Sequence, residues 1–470
     1  MSIWDIKDIR LSLESEIITD NSKDNINIDL VEIDSRRVKN DTLFICIKGS
    51  GNDGHNFIRN AFDNGATIIL ASEIPLEFFN DSRIILVKDG FECLNKLALF
   101  ARNRTKAKII AITGSVGKTT VKDMCGFALS NISKFYSTYA NFNNHFGVPI
   151  TLANLAENID FAVIEVGMNH TGEIEYLSKM IKPDVAVITT VSLAHIGNFS
   201  NETEIAKAKA EIFSGLKEGG CAIINRDNQY YDFLRNEALQ SNILEDNIIG
   251  FGFDETSDIR ITTIEDIENK LSSKISILFN KERENISYEI NSIHQGVILN
   301  SLIVVAILKM LDIDMSDVIN FFNNIELRSG RGNILEISKD NKNLTIIDDS
   351  YNANPTSTVA AIEYLNDIKK TNKNNNVTII LGDMFELGER EISEHIKIGK
   401  NLANSNIDNI LLVGSLMKNI NNDFLNKNIF YFNDSDHAAK NINSIVNNGD
   451  IILVKGSRGM KMEKIIEKIK

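Results

Sequence analysis

The sequence predicts an α/β protein of three domains, and three observations predict it. Its 470 residues exceed what one hydrophobic core organises and set a prior of about three domains of ordinary size. From residue 108 onward, short runs of β-branched residues alternate with longer helical patterns, as buried parallel strands and their crossover helices do. A turn-rich segment, Arg328-Ser329-Gly330-Arg331-Gly332, divides that alternation in two and reads as a hinge. The expected domains are 1–105, a smaller mixed unit with strands at 43–47, 67–70 and 83–87; 106–327, with strands at 108–113, 160–167, 184–191 and 220–226; and 328–470, with strands at 344–349, 376–382, 409–414 and 450–455. The apolar stretch Gly296 to Leu311 carries Asn300 and Lys309 and reads as a buried helix, not a membrane span.

Apolar residues make up 43% and charged residues 24%, as in a soluble folded chain, which argues against disorder. Lys plus Arg count 50 against 64 for Asp plus Glu, a net charge of −14, so the molecule as a whole repels polyanions and no nucleic-acid partner is expected. A phosphorylated substrate must then be held locally by lysine, backbone amides or metal ions. Cys46, Cys93, Cys125 and Cys221 are scattered without a CxxC pair, which argues against a zinc site and for a reducing compartment. The first residues are charged where a signal peptide would be apolar, and a cytoplasmic protein is expected.

The run Ile109 to Thr113 leads directly into Gly114-Ser115-Val116-Gly117-Lys118-Thr119-Thr120, with helical character from Val121 to Leu129. Strand, glycine loop and helix make a phosphate cradle. The glycines let backbone amides turn inward, the helix start adds partial positive charge, Lys118 neutralises outer phosphates and Thr119 offers a hydroxyl to Mg²⁺. Ile112 stands where the longer phosphate-loop pattern has glycine, so this is the shorter form TGxxGKT[ST]. Glu165 falls near the carboxyl end of the next strand, where open α/β sheets bind ligands and a carboxylate can hold Mg²⁺. His195 follows the strand after that and could complete a second metal site. Lys207 and Lys209 lie on one helical stretch, and spacing does not choose between them.

Taken together, these motifs resemble the Mur ligases, the ATP-dependent amide-forming enzymes of peptidoglycan precursor synthesis. The resemblance runs nearly end to end and implies a UDP-sugar-binding N-terminal domain, a central phosphate-loop domain that binds ATP, and a C-terminal Rossmann-like domain that binds the incoming amine. It implies that Lys118, Glu165, His195 and Lys209 are the catalytic set. It further implies that Lys209 is carbamylated by CO₂ and that Thr119, Glu165, His195 and the carbamate hold two Mg²⁺ ions. ATP is expected on Gly114 to Thr120, on His294 and Asn300, on Arg331 in the hinge and on Asp349. Thr138 to Pro149 resembles the family's TxGNxNNxxGxP segment beside the nucleotide sugar, with Thr138, Asn141, Asn143 and Asn144 matching and Ala140 replacing glycine. Asp34-Ser35-Arg36, Lys48-Gly49 and Asp53-Gly54-His55 match its uridine-diphosphate pattern, which assigns Ser35, Arg36 and Lys48 to that substrate. Gln295 and Thr190 replace two asparagines of the family near the nucleotide, so altered adenine contacts are expected.

Within the family, Asp348 to Pro355, Leu381 to Gly388, His395 and Lys455 to Arg458 resemble the members that add D-alanyl-D-alanine to UDP-N-acetylmuramoyl-tripeptide, and a DNPAR-type motif of the sister that adds the third residue is lacking. Asn352, Asn354, Lys455, Ser457 and Arg458 are thereby expected on the dipeptide side. The alternatives are a sister ligase adding a single amino acid, or a non-catalytic phosphate-loop scaffold. A monomer without a membrane span is expected.

Overall fold

A computed structural model gives the architecture and describes residues 2–49, 51–193, 196–267, 271–315, 322–339, 342–372, 375–420 and 427–470. Beside a two-stranded ladder of Trp4–Asp5 and Asn27–Ile28, three larger sheets follow one another along the described chain. The first has five strands in the order Ile17–Thr19, Ile84–Val87, Ala66–Ala71, Thr42–Ile45 and Leu30–Glu32, parallel except for the antiparallel edge Ile17–Thr19. The helix Gly90–Arg104 then leads into the second sheet, its start capped by the Asp89 carboxylate. Trp4 Nε1 donates to the Ala153 carbonyl at 2.7 Å, and Asn154 exchanges hydrogen bonds of 2.8 Å with the Val31 backbone, which fastens the first unit to the second.

The second sheet has nine strands. Its parallel part runs Ile248–Gly252, Cys221–Asn225, Val185–Ile188, Lys108–Thr113, Phe161–Glu165 and Phe135–Ser137. Lys108–Thr113 sits between the two strands that follow its crossovers in opposite directions, so the loop after it opens at the point where strand order reverses. Ligands of open α/β sheets bind there. Ile259–Asp266, Ser273–Phe279 and Glu284–Ile290 extend the other edge, the latter two by antiparallel pairing. The helix Gln295–Met310 is apolar on nearly every side and packs into the core, as the sequence predicts; among the described residues no helix is long and apolar enough to cross a membrane.

The third sheet runs Asn333–Lys339, Lys342–Asp349, Ile451–Lys455, Val377–Gly382, Asn409–Val413 and Asn428–Phe432, parallel except at its first pair. Its register sets Asp349 beside Lys455 at adjacent strand ends. In the hinge, Ser329 Oγ and the Gly330 N–H both donate to Asp348 Oδ2 at 2.8 Å. That buried carboxylate fixes the turn from which Arg331 projects.

Candidate active site

The phosphate loop has the conformation its glycines permit. Gly114 and Gly117 adopt φ of +146° and +94°, and a Cβ on them would lie 1.9 Å from Thr189 Oγ1 and 2.6 Å from Asn300 Oδ1. Side chains are excluded by both strain and space. The Ser115 N–H donates to the Thr190 carbonyl at 2.8 Å, the Ser115 hydroxyl to the Ser192 carbonyl at 3.0 Å, and Thr189 Oγ1 to the Val116 carbonyl at 2.5 Å. The loop is thus pinned to the chain following Val185–Ile188. Helix Lys118–Leu129 starts from it, and half-buried Lys118 lies back across the loop with Nζ donating to the Gly114 carbonyl at 2.6 Å. Burial lowers the pKa of Lys118, nearby Glu165 opposes that shift, and Arg331 adds to it.

Glu165 ends strand Phe161–Glu165 and is 2% exposed. Thr119 Oγ1 donates to its Oε2 at 2.9 Å, and Asn143 Nδ2 donates to its Oε1 at 2.9 Å. Its own N–H donates to Thr138 Oγ1 at 2.9 Å. Arg331 Nη2 approaches Thr119 Oγ1 at 3.5 Å from the third unit, while its guanidinium lies 3.9 Å from the Tyr351 ring centroid. His195 lies outside the described residues. Helix Glu202–Ala210, capped by Asn201, separates the two lysines that spacing left open: Lys207 is exposed and Lys209 is 2% exposed. Burial, with the charge of Lys118 adding to it, drives the pKa of Lys209 far below the ordinary lysine value. Among the described residues no group of three or more His, Cys, Asp or Glu is gathered. Hydroxyl and carboxylate oxygens here nevertheless suit Mg²⁺, which takes one or two carboxylates and completes its shell with substrate phosphates and water.

A cavity of about 720 Å³ opens from the loop between the start of helix Gln295–Met310 and helix Pro355–Thr371. His294 caps the first of these helices, its Nδ1 accepting the Gly296 N–H at 3.0 Å, and its ring stands edge-on to Tyr364 at 4.8 Å. Burial lowers its pKa, which favours the neutral ring that this acceptor role requires. Gln295, Asn300 and Thr190 line the cavity, and Thr190 Oγ1 accepts from Asn228 Nδ2 at 3.0 Å. Asp349 also lines it, paired with nearly buried Lys455 at 2.6 Å.

The residues expected on the dipeptide side divide. Asn352, Asn354 and Lys455 line this same cavity. Asn354 caps helix Pro355–Thr371, and its carbonyl-type oxygen accepts the Ser357 N–H at 2.8 Å. Ser457 and Arg458 lie apart from the cavity wall: Ser457 Oγ accepts the Phe385 N–H at 2.8 Å, and Arg458 pairs with Glu463 at 3.1 Å.

On the other side, Asn143 is joined to Glu165 as described, Asn144 Oδ1 accepts the Gly147 N–H at 2.9 Å, and Asn141 is exposed. Ala140 adopts a φ of +47°, the region that favours the glycine it replaces. Ser35 is buried, whereas Arg36 is 85% exposed and folds back on Asp34 at 2.6 Å. Lys48 is exposed and pairs with Glu73 at 3.2 Å. The neighbouring Arg37, which the sequence pattern did not single out, lies over Tyr139 and Phe142 with its guanidinium 4.5 and 4.7 Å from their centroids. The adjacent Arg-Arg pair was the only available signal, and it does not rank the two.

Residues 27–90, 112–308 and 331–458 match, in turn, descriptions of the Mur ligase family catalytic domain, the Mur ligase middle domain and the Mur ligase glutamate ligase domain. The chain is 34% identical over 466 residues to the UDP-N-acetylmuramoyl-tripeptide--D-alanyl-D-alanine ligase of Rickettsia prowazekii, covering 99% of each. Its fold is similar to MurF from Acinetobacter baumannii, with a TM-score of 0.84 at 27% identity over 99% of this chain and 98% of that one. It is also similar to MurF ligase from Thermotoga maritima in complex with ADP, with a TM-score of 0.77 at 27% identity over 94% and 96% of the two chains.

Proposed function

The chain belongs to the Mur ligase family, and from that premise we propose how its residues carry the reaction. It is an ATP-dependent ligase that joins D-alanyl-D-alanine to UDP-N-acetylmuramoyl-tripeptide through an acyl phosphate, releasing ADP and phosphate. ATP occupies the cavity with its phosphates on Gly114 to Thr120 and its base toward His294 and Gln295. Lys118 leaves the Gly114 carbonyl for the outer phosphates, and Arg331, beside Thr119, brings a second positive charge to the same place. The terminal carboxylate of the tripeptide attacks the γ-phosphorus and the bond to ADP breaks. The dipeptide amine then attacks the acyl carbon, loses a proton, and phosphate leaves as the amide forms.

Thr119, Glu165, His195 and Lys209 would hold Mg²⁺, which supplies charge compensation for the phosphoryl group in transit. Lys209 contributes an amine that burial and the charge of Lys118 favour as neutral; addition of CO₂ to that form, with loss of a proton, would turn the neutral amine into an anionic donor. Ser35, Arg36 and Lys48 of a domain at 1–105, with Thr138, Asn141, Asn143 and Asn144, take the UDP sugar. A domain at 106–327 carries the phosphate loop, and one at 328–470 brings the dipeptide, with Ser457 and Arg458 beyond the ATP cavity. One chain supplies both walls of that cavity, so a monomer suffices. The four buried thiols suit a reducing cytoplasm.

The observation that carries this reading is the fully engaged Glu165, gripped by the Thr119 hydroxyl and the Asn143 amide beside the phosphate loop. Mass spectrometry of the product tests it. Incubation with ATP, UDP-N-acetylmuramoyl-tripeptide and D-alanyl-D-alanine is expected to yield the pentapeptide nucleotide, one per phosphate released; phosphate without that product contradicts it.

A further inference from the structure

We propose that Lys122 is a positioning residue of this site, whose ammonium ties the segment presenting Asn143 to the helix presenting Thr119. The proposal rests on the assignment of Thr119 and Glu165 to Mg²⁺ and nucleotide. Lys122 stands one turn beyond Lys118 on helix Lys118–Leu129 and is 0% exposed. A lysine at the start of a helix is ordinarily solvated, and burying its ammonium is costly unless fixed acceptors replace water. Here they do. Nζ donates to the Thr138 carbonyl at 3.0 Å and the Ala140 carbonyl at 3.4 Å, with Asp123 Oδ1 at 3.6 Å.

Both carbonyls belong to the bend in which Ala140 holds its left-handed conformation. The same bend is tied to strand Phe161–Glu165 by Thr138, whose Oγ1 accepts the Glu165 N–H. Three residues beyond Ala140, Asn143 reaches Glu165 Oε1. The amine therefore closes a ring of contacts: helix, bend, Asn143, Glu165, Thr119 and back to the helix. Asp123 extends it to the hinge, since its Oδ2 pairs with Arg328 at 2.8 Å. Lys122 faces two backbone carbonyls and the Asp123 carboxylate, and reaches the candidate ligands Glu165 and Thr119 through the bend and Asn143.

The test exploits two effects of opposite sign. As a mere nearby positive charge, Lys122 weakens cation binding, and its removal strengthens it. As a positioning residue, its removal weakens cation binding. Binding of a non-hydrolysable ATP analogue is titrated with Mg²⁺ for the full chain, Lys122→Met and Lys122→Gln, with circular dichroism confirming the fold. Lys122→Met is expected to raise the half-saturating Mg²⁺ concentration about tenfold, as loss of a residue supporting a metal ligand does, and Lys122→Gln, which keeps an N–H donor, to recover part of that. An unchanged or lowered value in Lys122→Met overturns the proposal. If Lys122→Met does not fold, Lys122→Gln decides alone, and an unchanged value there overturns it. The readout needs no turnover, so a wild type that binds the analogue with Mg²⁺ but makes no pentapeptide product fails the ligase reading while leaving this test intact.

Discussion

Thr119 donates its hydroxyl to Oε2 of Glu165 at 2.9 Å, joining the first turn of the phosphate-loop helix to the end of the neighbouring strand. Hydroxyl and carboxylate thus face the same space beside Lys118. Replacing Glu165 by Gln keeps volume and a hydrogen-bonding end but removes the charge. We predict that kcat for phosphate release falls about 10²–10³-fold, comparable to losing one preorganised electrostatic group, while the midpoint of thermal unfolding moves little. A variant retaining a tenth of the activity would contradict the assignment.

Ala140 is held at φ +47° by the bend that Lys122 and Asn143 secure. An L-residue there costs about 1–2 kcal/mol, and glycine would return about 0.4–1 kcal/mol through its freer unfolded chain. Ala140→Gly is therefore predicted to stabilise the protein by about 0.5–1 kcal/mol in urea unfolding, with unchanged kcat. Destabilisation would show that the methyl group makes a contact worth more than the strain.

Lys209 predicts a pH dependence. Its folded-state pKa is far below the ordinary lysine value because of burial and Lys118, whereas the unfolded chain keeps that proton into the usual lysine range. Between the two, the unfolded state binds more protons, so this group makes stability rise with pH across the window. In decarbonated buffer, Lys209→Met should be more stable than the wild type at neutral pH and gain less stability between pH 7 and 9. Parallel pH profiles for the two proteins would contradict a neutral buried amine.

Arg331 crosses from the third unit to within 3.5 Å of Thr119. Arg331→Ala is predicted to lower kcat/KM for ATP about 10²-fold through lost stabilisation of phosphoryl charge, with KM for the dipeptide nearly unchanged. A variant changed chiefly in dipeptide KM would move Arg331 to the other substrate.

Legibility in the sequence follows the range of each interaction. Lys118, Thr119 and the glycines were readable because a phosphate cradle is built from consecutive residues, and Glu165 because strand ends are marked locally. Lys209 could be told from Lys207 only by family resemblance, since the face of helix Glu202–Ala210 that is buried depends on what packs against it. Lys122 gave no signal, because its acceptors are carbonyls of a distant bend. Arg37 rather than Arg36 lies over the Tyr139 and Phe142 rings for the same reason. The strands Ile259–Asp266, Ser273–Phe279 and Glu284–Ile290 went unread because they are only partly buried, the first exposed over its last five residues and the second burying every other residue, unlike the continuous apolar runs that mark the parallel strands.

The most direct test of the central claim is phosphate release from ATP with UDP-N-acetylmuramoyl-tripeptide and Mg²⁺, adding D-alanyl-D-alanine, each single amino acid, or no amine. Release that requires both tripeptide and dipeptide, and is abolished in Lys118→Ala, is the predicted result. Release supported by a single amino acid and not by the dipeptide would contradict it.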